Sequence, residues 1–282
     1  MGEQVETRAG DDPGGPPAGP PAVDAATVVL VRDGDGLEVL LLERHLDSDF
    51  AGGALVFPGG KVDAADRDLA PDRWRGRDLA AWRARLGCAS EADALGLLVA
   101  AVRETFEEAG ILLARREDGT VPTADDLTSS SMVAARRRLA SRSERWDWRP
   151  WLADEGLLLD LDALAMWSWW VTPSGQHRRF DTRFLIARVP ADQIAAHDRV
   201  EMTAMRWTRP TDALAAQRRG EVTVIFPTRC NLRDLARFPS VAAAFEAAVT
   251  GAVDQRRIQP DVVLVDGRPM VQHPFGGDPE PV

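Results

Sequence analysis

The stretch RETFEEAGI, Arg103 to Ile111, read together with FPGGKVD, Phe57 to Asp63, decides the fold. If the first segment is helical, a rotation of about 100° per residue places Glu104, Glu107 and Glu108 within roughly 100° of one another. Leu95, Leu98, Val99, Val102, Phe106 and Ala109 then take the opposite side. The spacing predicts an amphipathic helix with a core face and a face of clustered carboxylates.

Gly110 reads as the stop signal at the helix end. The three Glu therefore crowd the last two turns, where the macrodipole disfavours anions by roughly 0.3–1 kcal/mol each. They also repel one another at i,i+3 and i,i+4. Negative charge concentrated at a negative helix end implies something positive that binds there. The expected partner is a hard divalent cation on oxygen ligands, Mg²⁺ first and Mn²⁺ second. The bland counterpart is a solvated Glu/Arg face in which Arg103 neutralises Glu107 at i,i+4 without a metal.

RETFEEAGI resembles the second half of the Nudix box, the signature of hydrolases that cleave a diphosphate linked to another moiety. The family pattern runs Gly, five residues, Glu, seven residues, then Arg-Glu-hydrophobic-x-Glu-Glu-x-Gly-hydrophobic. Here the first half is Gly60, five residues, Asp66, with Asp in place of Glu, and Thr105 stands where the family has an aliphatic residue. Residues 67 to 102 make 36 intervening positions against seven, an insertion of 36 − 7 = 29 residues. A box split in this way is similar to that of the acyl-coenzyme A diphosphatase branch, which also carries FPGG, D-A-A-D and a long insert before RETFEEAG.

The resemblance implies an α/β fold, the Nudix α/β/α sandwich with a mixed sheet, an insertion at 67–90 and extra helices and a hairpin at 228–278. It implies a single domain over 23–278 behind a Gly/Pro-rich tail at 1–22, whose composition predicts disorder. It further implies Glu104, Glu107 and Glu108 as metal ligands with a backbone carbonyl of the Gly59-Gly60 pair, Gly60 being the better match. Arg103 would orient Glu107 or Asp66. The general base is left open among Glu104, Glu107 and Glu201, the last standing just before a strand where some Nudix enzymes place a further carboxylate. The expected substrate is coenzyme A or an acyl-coenzyme A, with a nucleotide sugar or dinucleotide as the alternative and a non-catalytic sensor behind both.

Working outward, AATVVLV and LEVLLLER around Asp33-Gly34-Asp35-Gly36 read as a hairpin that delivers Arg44, a candidate for phosphate contact. Lys61, the only Lys, lies beside the glycine loop and is a second candidate. MWSWWVT and RRFDTRFLIARV read as a longer hairpin, whose Arg178 and Arg179 are candidates for a 3′-phosphate or diphosphate, because Arg suits forked contacts. Arg136, Arg137 and Arg138 lie on a further helical segment and are expected to be a solvated face. The 115–165 region is otherwise hard to read.

Composition bounds the rest. A net charge of −10 argues against a nucleic-acid polymer as partner. No run of 18 apolar residues suggests a membrane span, and two Cys give neither a disulfide framework nor metal spacing. A cytoplasmic protein acting on a small-molecule diphosphate is expected, with a homodimer left open.

Overall fold

The apolar run from Ala25 to Val31 forms the centre of the sheet. The computed structural model describes residues 19–46, 52–141, 143, 145–198 and 200–281, so most of the expected tail at 1–22 lies outside the described residues. β1 (Val23–Gly34) turns through Asp35 into β2 (Gly36–Arg44), with Val31 opposite Val39. The two strands then diverge and admit the glycine-flanked segment between them. Its first part, β3 (Ala54–Val56), pairs with β2, and its second, β4 (Gly59–Lys61), pairs with β1, Thr27 opposite Gly59 and Ala25 opposite Lys61.

The insertion is built into the body rather than draped over it. Its short strand β5 (Trp74–Arg75) joins a small sheet, and α1 (Leu79–Leu86) buries Trp82 and Leu86 in the same core as the sheet. Loss of a buried Trp of this kind costs about 3–5 kcal/mol. Then follow α2 (Glu91–Ala109) and β6 (Ala114–Arg116). The 115–165 region, hard to read apart from the helical segment that carries Arg136, supplies α3 (Ala124–Leu127), α4 (Ser130–Leu139), α5 (Arg149–Asp154) and β7 (Leu157–Asp160). β7 pairs with both β5 and β6. Trp151 of α5 stacks on Phe106 of α2, ring centroids 5.9 Å apart.

β8 (Leu164–Val171) and β9 (Phe180–Arg188) form the expected hairpin, and β9 runs parallel to β1 from Val23–Phe180 to Val31–Arg188. β10 (Met202–Thr208) lies antiparallel on β2, with Met202 opposite Arg44. After α6 (Pro210–Arg218), β11 (Thr223–Val224) adds in parallel to β3. α7 (Phe226–Leu235) and α8 (Val241–Thr250) precede β12 (Arg257–Ile258), which closes the other edge on β8. The resulting nine-stranded sheet is mixed.

Alternation along β1 sends Val28 and Leu30 to the face covered by α1 and α2, and Val29 and Val31 to the face covered by α6, α7 and α8. Both faces are buried, which is why the strand reads as a continuous apolar run. This is the α/β/α sandwich expected from the sequence. The C-terminal hairpin, β13 (Asp261–Val265) and β14 (Arg268–Gln272), gains a third strand, β15 (Glu280–Pro281). Glu280 pairs with Arg229 of α7 at 3.3 Å. The ordered structure therefore runs past the expected limit at 278. Among the described residues no helix is long and apolar enough to cross a membrane.

Candidate active site

α2 starts where Ser90 accepts a hydrogen bond from the Asp93 N–H at 3.1 Å, and it ends at Gly110, left-handed at φ 68°. The three carboxylates cluster at the end of the helix, and the face that carries them is covered rather than solvated. From Ala94 to Ala109 the helix is buried nearly all round, because the insertion, α4 and the glycine loop cover it as well as the sheet. Glu104 and Glu107 keep side-chain exposures of only 12% and 11%, and Glu108 is 2% exposed.

The glycine pair allows the close approach. Gly59 N–H donates to Glu108 Oε2 at 2.9 Å. A Cβ on Gly60 would collide with the Glu104 carboxylate, and one on Gly59 would sit 2.6 Å from Thr27 Cα. Backbone thus lies directly against two of the three carboxylates, as only Gly permits.

Asp66 and Arg103 reconnect the two halves of the split motif. Arg103 Nε and Nη2 donate to the two Asp66 oxygens at 3.0 and 2.9 Å, Nη2 also to Lys61 O at 2.9 Å, and Nη1 to Glu104 Oε1 at 2.7 Å. Asp66 is 1% exposed and also accepts from the Asp63 N–H at 2.8 Å. This buried ion pair has its donors and acceptors met, the condition under which such a pair is sustained. Arg103 reaches Asp66 and Glu104 closely, whereas Glu107 is 3.8 Å away.

Charge in the site is only partly balanced. Burial and then repulsion from Glu104 push Glu107 up to about 8, against the pull of Arg103. Burial also raises Glu104, opposed by Arg103. Glu108 is pushed well above the usual carboxylate range by burial and by Glu104, although the Gly59 N–H and Arg44 work the other way.

Arg44, at the end of β2, lies 3.5 Å from Glu201, whose carbonyl accepts the His45 N–H at 2.9 Å. Arg44 Nε is buried with no acceptor among the described residues. Such an orphaned donor faces a cost unless an oxygen from elsewhere meets it. Lys61 gives its carbonyl to Arg103 and has an exposed side chain.

The structure thus gathers Gly59, Gly60, Lys61, Asp66, Arg103, Glu104, Glu107 and Glu108 around one helix end, with Arg44 and Glu201 beside it. It does not bring Arg179 there. That guanidinium donates to the carbonyls of Thr172, Pro173 and Pro20, each at 3.2 Å, and so ties the β8–β9 turn. Arg178 is exposed on the same turn, ahead of β9. Thr182, four residues further along the chain, lies on one rung with Ala25 and Lys61.

One residue was assigned wrongly from sequence. Arg136 was expected on a solvated face, yet it donates to Glu107 O at 2.9 Å and Glu108 O at 3.1 Å. The available signal was the end of α2 itself, three carboxylates with no basic residue in the last turn, which calls for a cation from elsewhere in the chain.

Among the described residues no three carboxylate, imidazole or thiol side chains already converge as a ligand cage. The donor chemistry nevertheless suits a hard divalent cation. Every candidate ligand is oxygen, and burial raises Glu104, Glu107 and Glu108, so that a cation among them would favour their charged form.

Residues 71–237, more than half of the chain, match the family model described as the NUDT19 Nudix domain. The chain is 30% identical over 246 residues to the acyl-coenzyme A diphosphatase NUDT19 of Gallus gallus, covering 72% of this chain and 62% of that protein. It is 28% identical over 273 residues to the Homo sapiens protein of the same name, covering 86% and 72%. The crystal structure of a NUDIX hydrolase from Alicyclobacillus acidocaldarius shares 31% identity and a TM-score of 0.65, over 80% of this chain and 96% of that one. The shared fold, the box residues gathered at one helix end and these matches agree: the chain belongs to the Nudix hydrolase family, on the side of the NUDT19 Nudix domain.

Proposed function

We propose that this protein hydrolyses the diphosphate of coenzyme A or an acyl-coenzyme A with Mg²⁺, and with Mn²⁺ as a substitute. The observation that carries the reading is the buried carboxylate cluster at the end of α2, set against the Gly59-Gly60 backbone. The choice of substrate draws on kinship with two proteins named acyl-coenzyme A diphosphatases.

In this reading Glu104, Glu107, Glu108 and the Gly60 carbonyl hold the cation. When bound, it neutralises the diphosphate oxygens and makes the attacking water more acidic. The water oxygen bonds to one phosphorus, the P–O bond to the bridging oxygen breaks, and that oxygen leaves with the other phosphorus. The products are a 4′-phosphopantetheine, acylated or not, and adenosine 3′,5′-bisphosphate. Glu104, Glu107 or Glu201 takes the proton that the water gives up. Arg44, with its orphaned Nε, and Lys61 contact the phosphates, and Arg103 positions Glu104 through the pair it forms with Asp66. The two free thiols, Cys88 and Cys230, accord with a reducing cytoplasm.

The test is incubation with coenzyme A, an acyl-coenzyme A, ADP-ribose, a dinucleoside polyphosphate and a nucleotide sugar, each with Mg²⁺, and identification of products by mass. Phosphopantetheine products appearing fastest support the proposal. Turnover confined to the nucleotide substrates would reassign the substrate, and no turnover of any would refute the activity.

A further inference from the structure

A helix leaves its last four carbonyls without intrahelical partners, and at the end of α2 each has a donor that can be named. Phe106 O accepts from Gly110 N at 3.0 Å and Ala109 O from Ala196 N at 2.8 Å. The two between them, Glu107 O and Glu108 O, are bonded by Arg136 Nε and Nη2 at 2.9 and 3.1 Å. The same Nη2 donates to Ala196 O as well. The guanidinium lies over Gly110, where a Cβ would come within 2.9 Å of Nη1. One side chain from α4 therefore joins the end of the carboxylate helix to the segment that leads into β10.

That segment is held firmly on either side of the contact. Gln193 accepts from Leu112 N at 2.9 Å and donates to Leu112 O and Pro122 O at 3.1 and 2.9 Å. Asp198 accepts the N–H groups of Val200, Glu201 and Met202 at 3.0, 3.1 and 2.9 Å. Glu201 in turn stands 3.5 Å from Arg44. A short chain of contacts thus runs from Arg136 to the Glu201 carboxylate and, through the backbone it bonds, to Glu107 and Glu108. α2 has no basic residue in its last turn, so Arg136 is also the cation at its negative end.

We propose that Arg136 is a positioning residue, one that holds the Glu107–Glu108 end of α2 and the Glu201 segment in a single arrangement. The inference rests on the reading of those carboxylates as ligands and base. Arg136 touches neither cation nor substrate in this account; it fixes the backbone from which the carboxylates project. Its loss should lower turnover and cation affinity while leaving substrate affinity nearly unchanged.

The test compares Arg136→Ala, Arg136→Lys and, as a neighbour on the exposed side of α4, Arg137→Ala. Expected for Arg136→Ala is a fall in kcat of about 10- to 100-fold, the effect of a lost charge-assisted hydrogen bond, with KM moving by less than about threefold. Mn²⁺ binding to the substrate-free protein, measured by equilibrium dialysis, should weaken by about tenfold or more. Amide exchange should accelerate both at the end of α2 and in the segment before β10. Guanidinium ion should restore part of the rate to Arg136→Ala, Arg136→Lys should fall between, and Arg137→Ala should match wild type. Unchanged Mn²⁺ affinity in a folded Arg136→Ala would overturn the proposal, as would rates that only follow the folded fraction with no guanidinium rescue. If Arg136→Ala does not fold, Arg136→Lys decides, and wild-type kcat and exchange in it would overturn the proposal. If the wild type cleaves none of the diphosphates, the proposed activity fails, and Mn²⁺ affinity and exchange still decide the role of Arg136.

Discussion

Raising the pH of the metal-free protein from about 5 to about 9 is expected to destabilise it, and Glu107→Gln to remove much of that loss. Glu107 is pushed up to about 8 by burial and by Glu104, from an ordinary value of 4.5. The folded state therefore holds this proton more tightly than the unfolded chain. The stability so gained is complete below about 4.5 and lost as pH rises through about 8. The gap is about 3.5 decades, and at ~1.4 kcal/mol per decade it sets a ceiling of about 5 kcal/mol. Water entry and rotation of the carboxylates return part of this, so a fall of about 2 kcal/mol or more is expected. Glu104 and Glu108, also raised, act in the same direction. His273, pushed down by burial, acts in the opposite one, so the informative quantity is the difference between wild type and variant. Urea denaturation in EDTA at several pH values gives it, and excess Mg²⁺ should restore the wild type at the alkaline end by binding the folded state. A wild-type profile as flat as that of Glu107→Gln, or one rising with pH relative to it, would refute the argument.

Other expectations follow from single contacts. Asp66→Asn removes one of the two close charge partners of Arg103 and should destabilise, by less than the about 3–5 kcal/mol of a buried pair broken outright, read by denaturant unfolding. Gly59→Ala meets the backbone of Thr27 and should destabilise by about 1–3 kcal/mol. Gly60→Ala meets only the Glu104 side chain, so kcat should fall with little change in melting temperature. Arg179→Ala frees two carbonyls in the β8–β9 turn and that of Pro20 before β1 and should lower stability without changing the ratio of rates on coenzyme A and its dephospho form. If the exposed Arg178 meets a 3′-phosphate, Arg178→Ala lowers that ratio by about tenfold or more; an unchanged ratio would place that recognition elsewhere.

What was legible in the sequence is what local chemistry fixes. The β1–β2 hairpin announced itself through its β-branched run and the Asp-Gly turn, and α2 through its apolar spacing and Gly110 at its end, because each signal acts within a few residues. The β8–β9 hairpin and the two C-terminal helices were legible for the same reason. The small sheet of β5, β6 and β7 was not, since Trp74 finds Leu159 across 85 positions of chain and neither segment is long enough to show a period. The burial of α2 on nearly every side was not legible because a helical wheel assigns faces relative to one neighbour, and this helix has neighbours all round. The bonds of Arg179 to Thr172, Pro173 and Pro20 were not legible because a basic residue in a turn looks the same in sequence whether it awaits an anion or caps nearby carbonyls.

Asp66 shows why a motif split by 29 added residues still forms one site. The family spacing matters only as a means of setting an acidic side chain against the Arg of the helix. Here the 3₁₀ turn Ala65–Asp68 packs directly on α2, so the shorter Asp reaches Arg103 with both oxygens at 3.0 and 2.9 Å. The intervening residues are then free to leave and return. They do so at little cost because Arg67, the next residue, bonds Asp93 at the start of α2 and Asp24 on β1, both at 3.1 Å. Asp24 in turn accepts from Arg183 of β9 at 3.0 Å, and Arg183 donates to Leu86 O at the end of α1. The insertion is thereby pinned at its exit and beside its return by charged contacts that share Asp24. It follows that the added residues leave the Asp66–Arg103 contact intact, and substitutions there should be felt at Glu104 through the Nη1 bond of Arg103.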